Sequence, residues 1–178
     1  VEIRPSRGTF VMKISVREVA NARFVREAIE SDIARHAARL ATPSHVASLR
    51  VLIEEQKAAE REQDYHRFNE SDETFHRAIS DIVSSDYAWR IVEAARFQTD
   101  RVRLLSLPDA SPLPMLISQH EEIVAALESR DPESAAQAMR RHLREILRAL
   151  SRIAGEHPEF FSDTDLPEHT RDLVPVEG

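Results

Sequence analysis

Between Gly8 and Gly155 the chain contains no glycine at all. A phosphate-cradling loop needs glycine so that its backbone can approach the ligand, and no such loop can occur in that stretch. The stretch carries apolar residues at helical spacing instead. Its 178 residues suit one domain with a single core. With 42% hydrophobic and 31% charged residues, and no apolar run near the roughly 18 residues that cross a bilayer, the chain reads as globular, without a membrane span. A net charge of −7 argues against a large nucleic-acid surface, because phosphate contacts need clustered Lys and Arg. Any DNA contact must come from a small local element. There are no cysteines, which excludes disulfides, thiolate metal sites and cysteine nucleophiles, and leaves His and carboxylate to hold any metal. Val1 opens a polar, Arg-containing segment and not a secretory signal. Lacking an initiator Met, the chain is expected to be a piece of a longer protein.

The spacing predicts an all-α fold, an antiparallel bundle of about six to seven helices preceded by a short β-hairpin remnant. Residues 1–14 read as two short strands around a turn at Pro5-Ser6-Arg7-Gly8, with Arg4 and Arg7 at the tip. An isolated hairpin is marginal in water, so it is expected to belong to an N-terminal neighbour. Ser15 is a candidate N-cap with Glu18 completing a capping box. Helices are predicted over 16–41, 44–62, 64–84, 86–105 and 114–129, and from Asp131-Pro132 onward, where an N-cap precedes proline at the first helical position. The first presents Ala22, Arg26, Ile29, Ile33, Ala37 and Leu40 on one stripe, and a Pro-containing loop at 108–114 follows the fourth. The division expected is a hairpin at 1–14, a helical domain at 15–155 and an acidic tail at 156–178 that is poorly ordered.

The informative residues are polar ones on otherwise apolar stripes. Asp72 and His76 are four apart, hence on one helix face with Phe68, Phe75 and Ile79. An ionised carboxylate is costly to bury unpartnered. His120 and His142 each interrupt an apolar stripe on two further helices. A bundle could bring three imidazoles and one carboxylate together, a set suited to a divalent transition ion. Taken singly, each His could be a hydrogen-bonded core residue, and Asp72 could cap a helix or pair with an Arg. Arg26 is a permanent cation on the first stripe, paired either with Glu30 one turn on or with an anion gripped by its guanidinium. His36, His45, His66, His157 and His169 lack this context and read as surface or tail residues.

These residues fall into a known pattern. The sequence resembles, from about residue 1 to 150, the FadR-type branch of the GntR family of bacterial regulators, specifically its C-terminal ligand-binding domain, often called FCD. EIRPSRGTFV resembles the end of that family's winged helix-turn-helix, FVREAIE its first sensor helix, SDETFHRAI its Asp-x-x-x-His pair, and HEEIVAALESRDPESAAQAMRRHL its closing signature; DRVRLLSL is also similar. The resemblance implies metal ligands at Asp72, His76, His120 and His142, and a zinc, nickel or manganese ion. It implies effector contacts from Arg26 and Arg103 to a small carboxylate, and a wing contacting DNA through Arg4 and Arg7. It further implies a cytoplasmic homodimer whose upstream winged helix binds operator DNA. Where the family commonly has Gly-Asn after the His76 helix, this chain has Ser84-Ser85. Two other readings stay open. A helical metalloenzyme is one, although His120-Glu121 lacks the second His of a zinc-peptidase helix and only Glu73-x-x-His76 fits a di-iron motif. A metal-free dimerisation module is the other.

Overall fold

The computed structural model describes residues 2–4, 8–10, 12–106 and 112–171. Ser15 ends an extended segment, and its hydroxyl oxygen accepts the Glu18 amide at 3.1 Å. The chain turns there into α1 (Val16–Leu40). Thr42 and His45 cap α2 (Pro43–Glu62) reciprocally, with Pro43 in the first turn where its missing N–H costs nothing. Asp64 accepts the Arg67 amide at 3.0 Å to start α3 (Tyr65–Ile82). After α4 (Asp86–Ser106) and α5 (Leu113–Glu128), Asp131 accepts the Glu133 and Ser134 amides, each at 3.1 Å, and opens α6 (Pro132–Glu156). Where the family pattern has glycine, Ser84 takes a left-handed φ of 54°, a conformation that crowds a Cβ.

The hairpin forms as an antiparallel pair, β1 (Glu2–Arg4) with β2 (Gly8–Phe10), in a register that sets Glu2 opposite Phe10. Arg7 and the turn around it lie outside the described residues, as do the Arg4 side chain and most of the loop before α5.

The tail departs from expectation. Instead of trailing free, Phe161–Asp163 forms a strand that pairs in parallel with Ile14–Ser15. These strands are β4 and β3, and the short helix α7 (Glu168–Arg171) follows. Phe161 is buried, Leu166 packs beside it, and Asp163 Oδ1 accepts the Arg17 amide at 3.1 Å. Two- and three-residue strands carry no readable period, and their partners, Ile14 with Phe161 and Ser15 with Asp163, lie at opposite ends of the chain, so local pattern could not announce them.

α1 runs through the middle of the bundle and packs on α3, α4, α5 and α6. Apolar burial is split in two. One cluster joins the C-terminal half of α1 to α2, α3, α5 and the start of α6. The other joins the N-terminal turns of α1 to Val102, the end of α6 and Phe161. Between them lies a buried polar layer at Arg23, Arg26 and Glu30 of α1 and His142 and Glu145 of α6. The expected α1 stripe is therefore rotated at both ends: Ala22 and Ile29 are only half buried and Leu40 is exposed, while Arg23 and Glu30 face inward. Arg23 pairs with Glu27, and Glu27 in turn accepts from Arg144 Nε at 3.0 Å, tying α1 to α6. No helix among the described residues is long and apolar enough to cross a membrane.

Candidate metal centre and adjoining recess

α3 places Asp72 and His76 one turn apart, α5 places His120 and α6 places His142, all four fully buried. One donor atom from each lies within 4.8 Å of the others. The His142 Nε2 is 3.2 Å from His76 Nε2 and 3.3 Å from His120 Nε2. Asp72 Oδ1 is 3.5 Å from His120 Nε2 and 3.9 Å from His76 Nε2, and among the described residues it has no hydrogen-bond partner.

The opposite ring nitrogens explain why these atoms converge. His120 Nδ1 meets Gln56 Oε1 at 2.7 Å and His142 Nδ1 meets Gln119 Oε1 at 3.1 Å. An amide oxygen only accepts, so each Nδ1 carries the proton and each Nε2 is left a bare lone pair. His76 Nδ1 lies 2.6 Å from Glu30 Oε2, a contact short enough for charge attraction but bent away from good hydrogen-bond geometry. Two imidazole lone pairs, the Nε2 of His76 and a carboxylate oxygen thus converge on one point, an arrangement that a cation among them would stabilise. Protons serve poorly. Burial, against the pull of Asp72, pushes His120 down to about 3, and burial together with His120 and His76 pushes His142 well below its ordinary value. Burial alone would raise Asp72, but Arg103, His76 and Arg96 hold its carboxyl well below the usual carboxylate range. Neutral imidazoles and an ionised carboxylate are the states a metal ion binds. The donor set fits a divalent transition ion, with amide oxygens behind His120 and His142 fixing their tautomers and the Glu30 carboxylate close behind His76.

Arg26, read as paired either with Glu30 or with an anion, donates from Nε to Glu30 Oε1 at 2.7 Å. Although burial opposes it, Arg26 and then His76 bring the Glu30 pKa down to about 2. Glu30 therefore bridges Arg26 to His76. Arg103, expected at the effector, donates to Asp72 Oδ2 at 2.6 Å. Arg96 was not singled out from the sequence, yet it is buried and also donates to Asp72 Oδ2, at 3.2 Å. Its place on the Thr99 and Arg103 face of α4, three and seven residues on, was the available signal. Arg26 Nη2 and Arg96 Nε and Nη1 have no hydrogen-bond partner among the described residues. Beside the cluster, Arg26, Thr99, Arg103, Leu116, His142 and Glu145 line a recess whose enclosed space is about 10 Å³, room for about one water. His36, His66 and His157 are on the surface, as expected. His45 is exposed and serves the α2 cap; nothing of the His169 side chain is described.

The FCD domain family model matches residues 22–145, which contain every member of the cluster. The chain is 37% identical over 163 residues to the HTH-type transcriptional repressor RspR of Escherichia coli K12, covering 92% of this chain and 72% of that protein. It is 32% identical over 162 residues to an HTH-type transcriptional regulator of Streptomyces ambofaciens, covering 91% and 68%. In solved structures, E. coli McbR/YncC shares the fold with a TM-score of 0.76 at 16% identity, over 87% of this chain and 77% of that one. The relatives are regulators, so the metalloenzyme alternative falls away. The chain belongs to the FCD-domain, GntR-type family of helix-turn-helix transcription regulators.

Proposed function

We propose that this chain is the effector-sensing part of such a regulator, that Asp72, His76, His120 and His142 hold one divalent ion, and that the adjoining recess takes a small carboxylate. The observation that carries the reading is the convergence of three Nε2 atoms with Asp72 Oδ1, which has no hydrogen-bond partner among the described residues. An N₃O donor set suits zinc, nickel or manganese, with cellular availability deciding among them. The bound ion supplies positive charge beside the recess, where Arg26 and Arg103 add two guanidiniums. At the recess, the buried Arg26 Nη2 has no partner among the described residues, which favours an anion as the missing component, because an unpaired buried donor is costly.

In this reading residues 1–14, with Arg4 and Arg7, close a winged helix-turn-helix that binds operator DNA, residues 15–155 sense and dimerise, and 156–178 form the tail. Exposed Phe24 on α1 and Ile91 and Phe97 on α4 support a homodimer. The setting is the cytoplasm, where operator DNA is.

The test is elemental analysis of protein purified without added metal, with His120→Ala and His142→Ala alongside. One ion per chain in the parent and loss of stoichiometric metal in both variants is expected. Metal-free parent protein, or variants that keep their metal while folded, would overturn the reading in favour of a metal-free dimerisation module.

A further inference from the structure

The recess has walls of opposite sign. Arg26 of α1 and Arg103 of α4 stand on one side, with the Thr99 hydroxyl between their helices, and Glu145 of α6 stands in the same lining. Glu145 is 7% exposed. Among the described residues its carboxylate has distant neighbours: Gln119 Nε2 at 3.5 Å and the largely solvated Arg148 Nη1, also at 3.5 Å. Neither is a good hydrogen bond, so a nearly buried carboxylate keeps acceptor capacity at the recess. On the cationic side, Arg26 Nη1 reaches Thr99 Oγ1 only at 3.4 Å and Nη2 has no partner. A ligand that presented carboxylate oxygens everywhere would satisfy the guanidiniums and be repelled by Glu145. One that offered only methylenes toward α6 would desolvate Glu145 further and leave it with just the long Gln119 and Arg148 contacts.

We infer that the effector is a small carboxylate bearing a hydrogen-bond donor, a hydroxyl or an ammonium, on its carbon chain, and that Glu145 accepts from that donor and sets specificity. The inference rests on the carboxylate reading given above. A site built to bond a donor rejects the analogue that lacks it far more strongly than an apolar pocket rejects a missing methylene.

The test is calorimetric titration of the zinc-loaded full chain with two matched series, propionate, lactate and alanine, then succinate, malate and aspartate. In at least one series the hydroxy or amino acid is expected to bind about tenfold or more tightly than its unsubstituted parent, the loss of one hydrogen bond to a charged group. The member that binds distinguishes hydroxyl from ammonium. Glu145→Leu is expected to bring parent and substituted acid to within about threefold of each other with metal content and circular dichroism unchanged. Glu145→Gln is expected to keep a preference for hydroxyl, since an amide oxygen still accepts, and to lose one for ammonium. Parent acids that bind as tightly as substituted ones overturn the role of Glu145 while leaving the carboxylate reading standing. So do two folded variants that keep the wild-type preference. If none of the six acids binds, the carboxylate reading fails and this inference with it.

Discussion

Gln56→Leu separates the metal reading from simple core packing. Gln56 is fully buried on α2, its Oε1 accepting from His120 Nδ1 at 2.7 Å and its Nε2 without a partner among the described residues. Leucine is close in volume and cannot accept. In the metal-free protein two effects of similar size oppose each other: the orphaned amide N–H group is removed, and His120 Nδ1–H is left unmet, each worth roughly 1–3 kcal/mol. They offset to within about 1 kcal/mol, or less than about 4 °C in Tm for a chain of this length. Metal binding has no such offset. Losing the acceptor that fixes a ligating imidazole costs about 10–100-fold in affinity, which is about 1.4–2.7 kcal/mol. The extra stability conferred by saturating metal should shrink by that amount, about 3–11 °C of the metal-dependent rise in Tm. Competition with a chromophoric chelator for zinc gives the affinity, and thermal denaturation with and without chelator gives the two Tm values. A folded Gln56→Leu protein with wild-type zinc affinity would refute the assignment of Gln56 as the group orienting His120.

Ser84→Gly should stabilise the protein by about 0.5–1 kcal/mol, the relief of about 1–2 kcal/mol at a left-handed φ less the entropy glycine adds to the unfolded chain, about 0.4–1 kcal/mol. Urea titration with an unchanged m-value measures it, and a lowered midpoint would show that Ser84 makes a contact worth more than the strain. Asp163→Ala should unfasten the tail from the start of α1, with faster hydrogen exchange at the Arg17 amide; unchanged protection would mean that strand pairing alone holds it. Burial works to raise Asp163, but hydrogen bonds from Ser15 and the Arg17 amide leave its pKa lowered. Its contribution is therefore present above the unfolded pKa near 3.9 and is lost as pH falls through the lower folded value. His120 has the opposite charge type: its folded value of about 3 lies below the unfolded value of 6.5, so the unfolded chain takes up the proton first. Metal-free protein should lose stability as pH falls from about 6.5 toward 3, by chemical denaturation across that range, and a flat profile would count against a neutral buried His120.

The sequence by itself determined the helices and the four residues of the candidate metal centre. Helix starts were legible because the Ser15 and Asp131 side chains accept from nearby backbone amides and Pro132 fits the first turn, and local chemistry needs no tertiary context. Asp72, His76, His120 and His142 were legible because each breaks an apolar stripe, and a polar break is visible at helical spacing; that they meet within 4.8 Å was decided by how α3, α5 and α6 pack. Only packing could say that Glu30 turns inward to join Arg26 to His76, that Arg103 and the unsuspected Arg96 both hold Asp72, or that Gln56 and Gln119 stand behind two histidines. Each of these depends on the rotation of one helix against another, which a stripe of alanines and charges on α1 leaves nearly free. The docking of Phe161–Asp163 on Ile14–Ser15 lay furthest from reach, because a pairing between the two ends of the chain leaves no period in either of them.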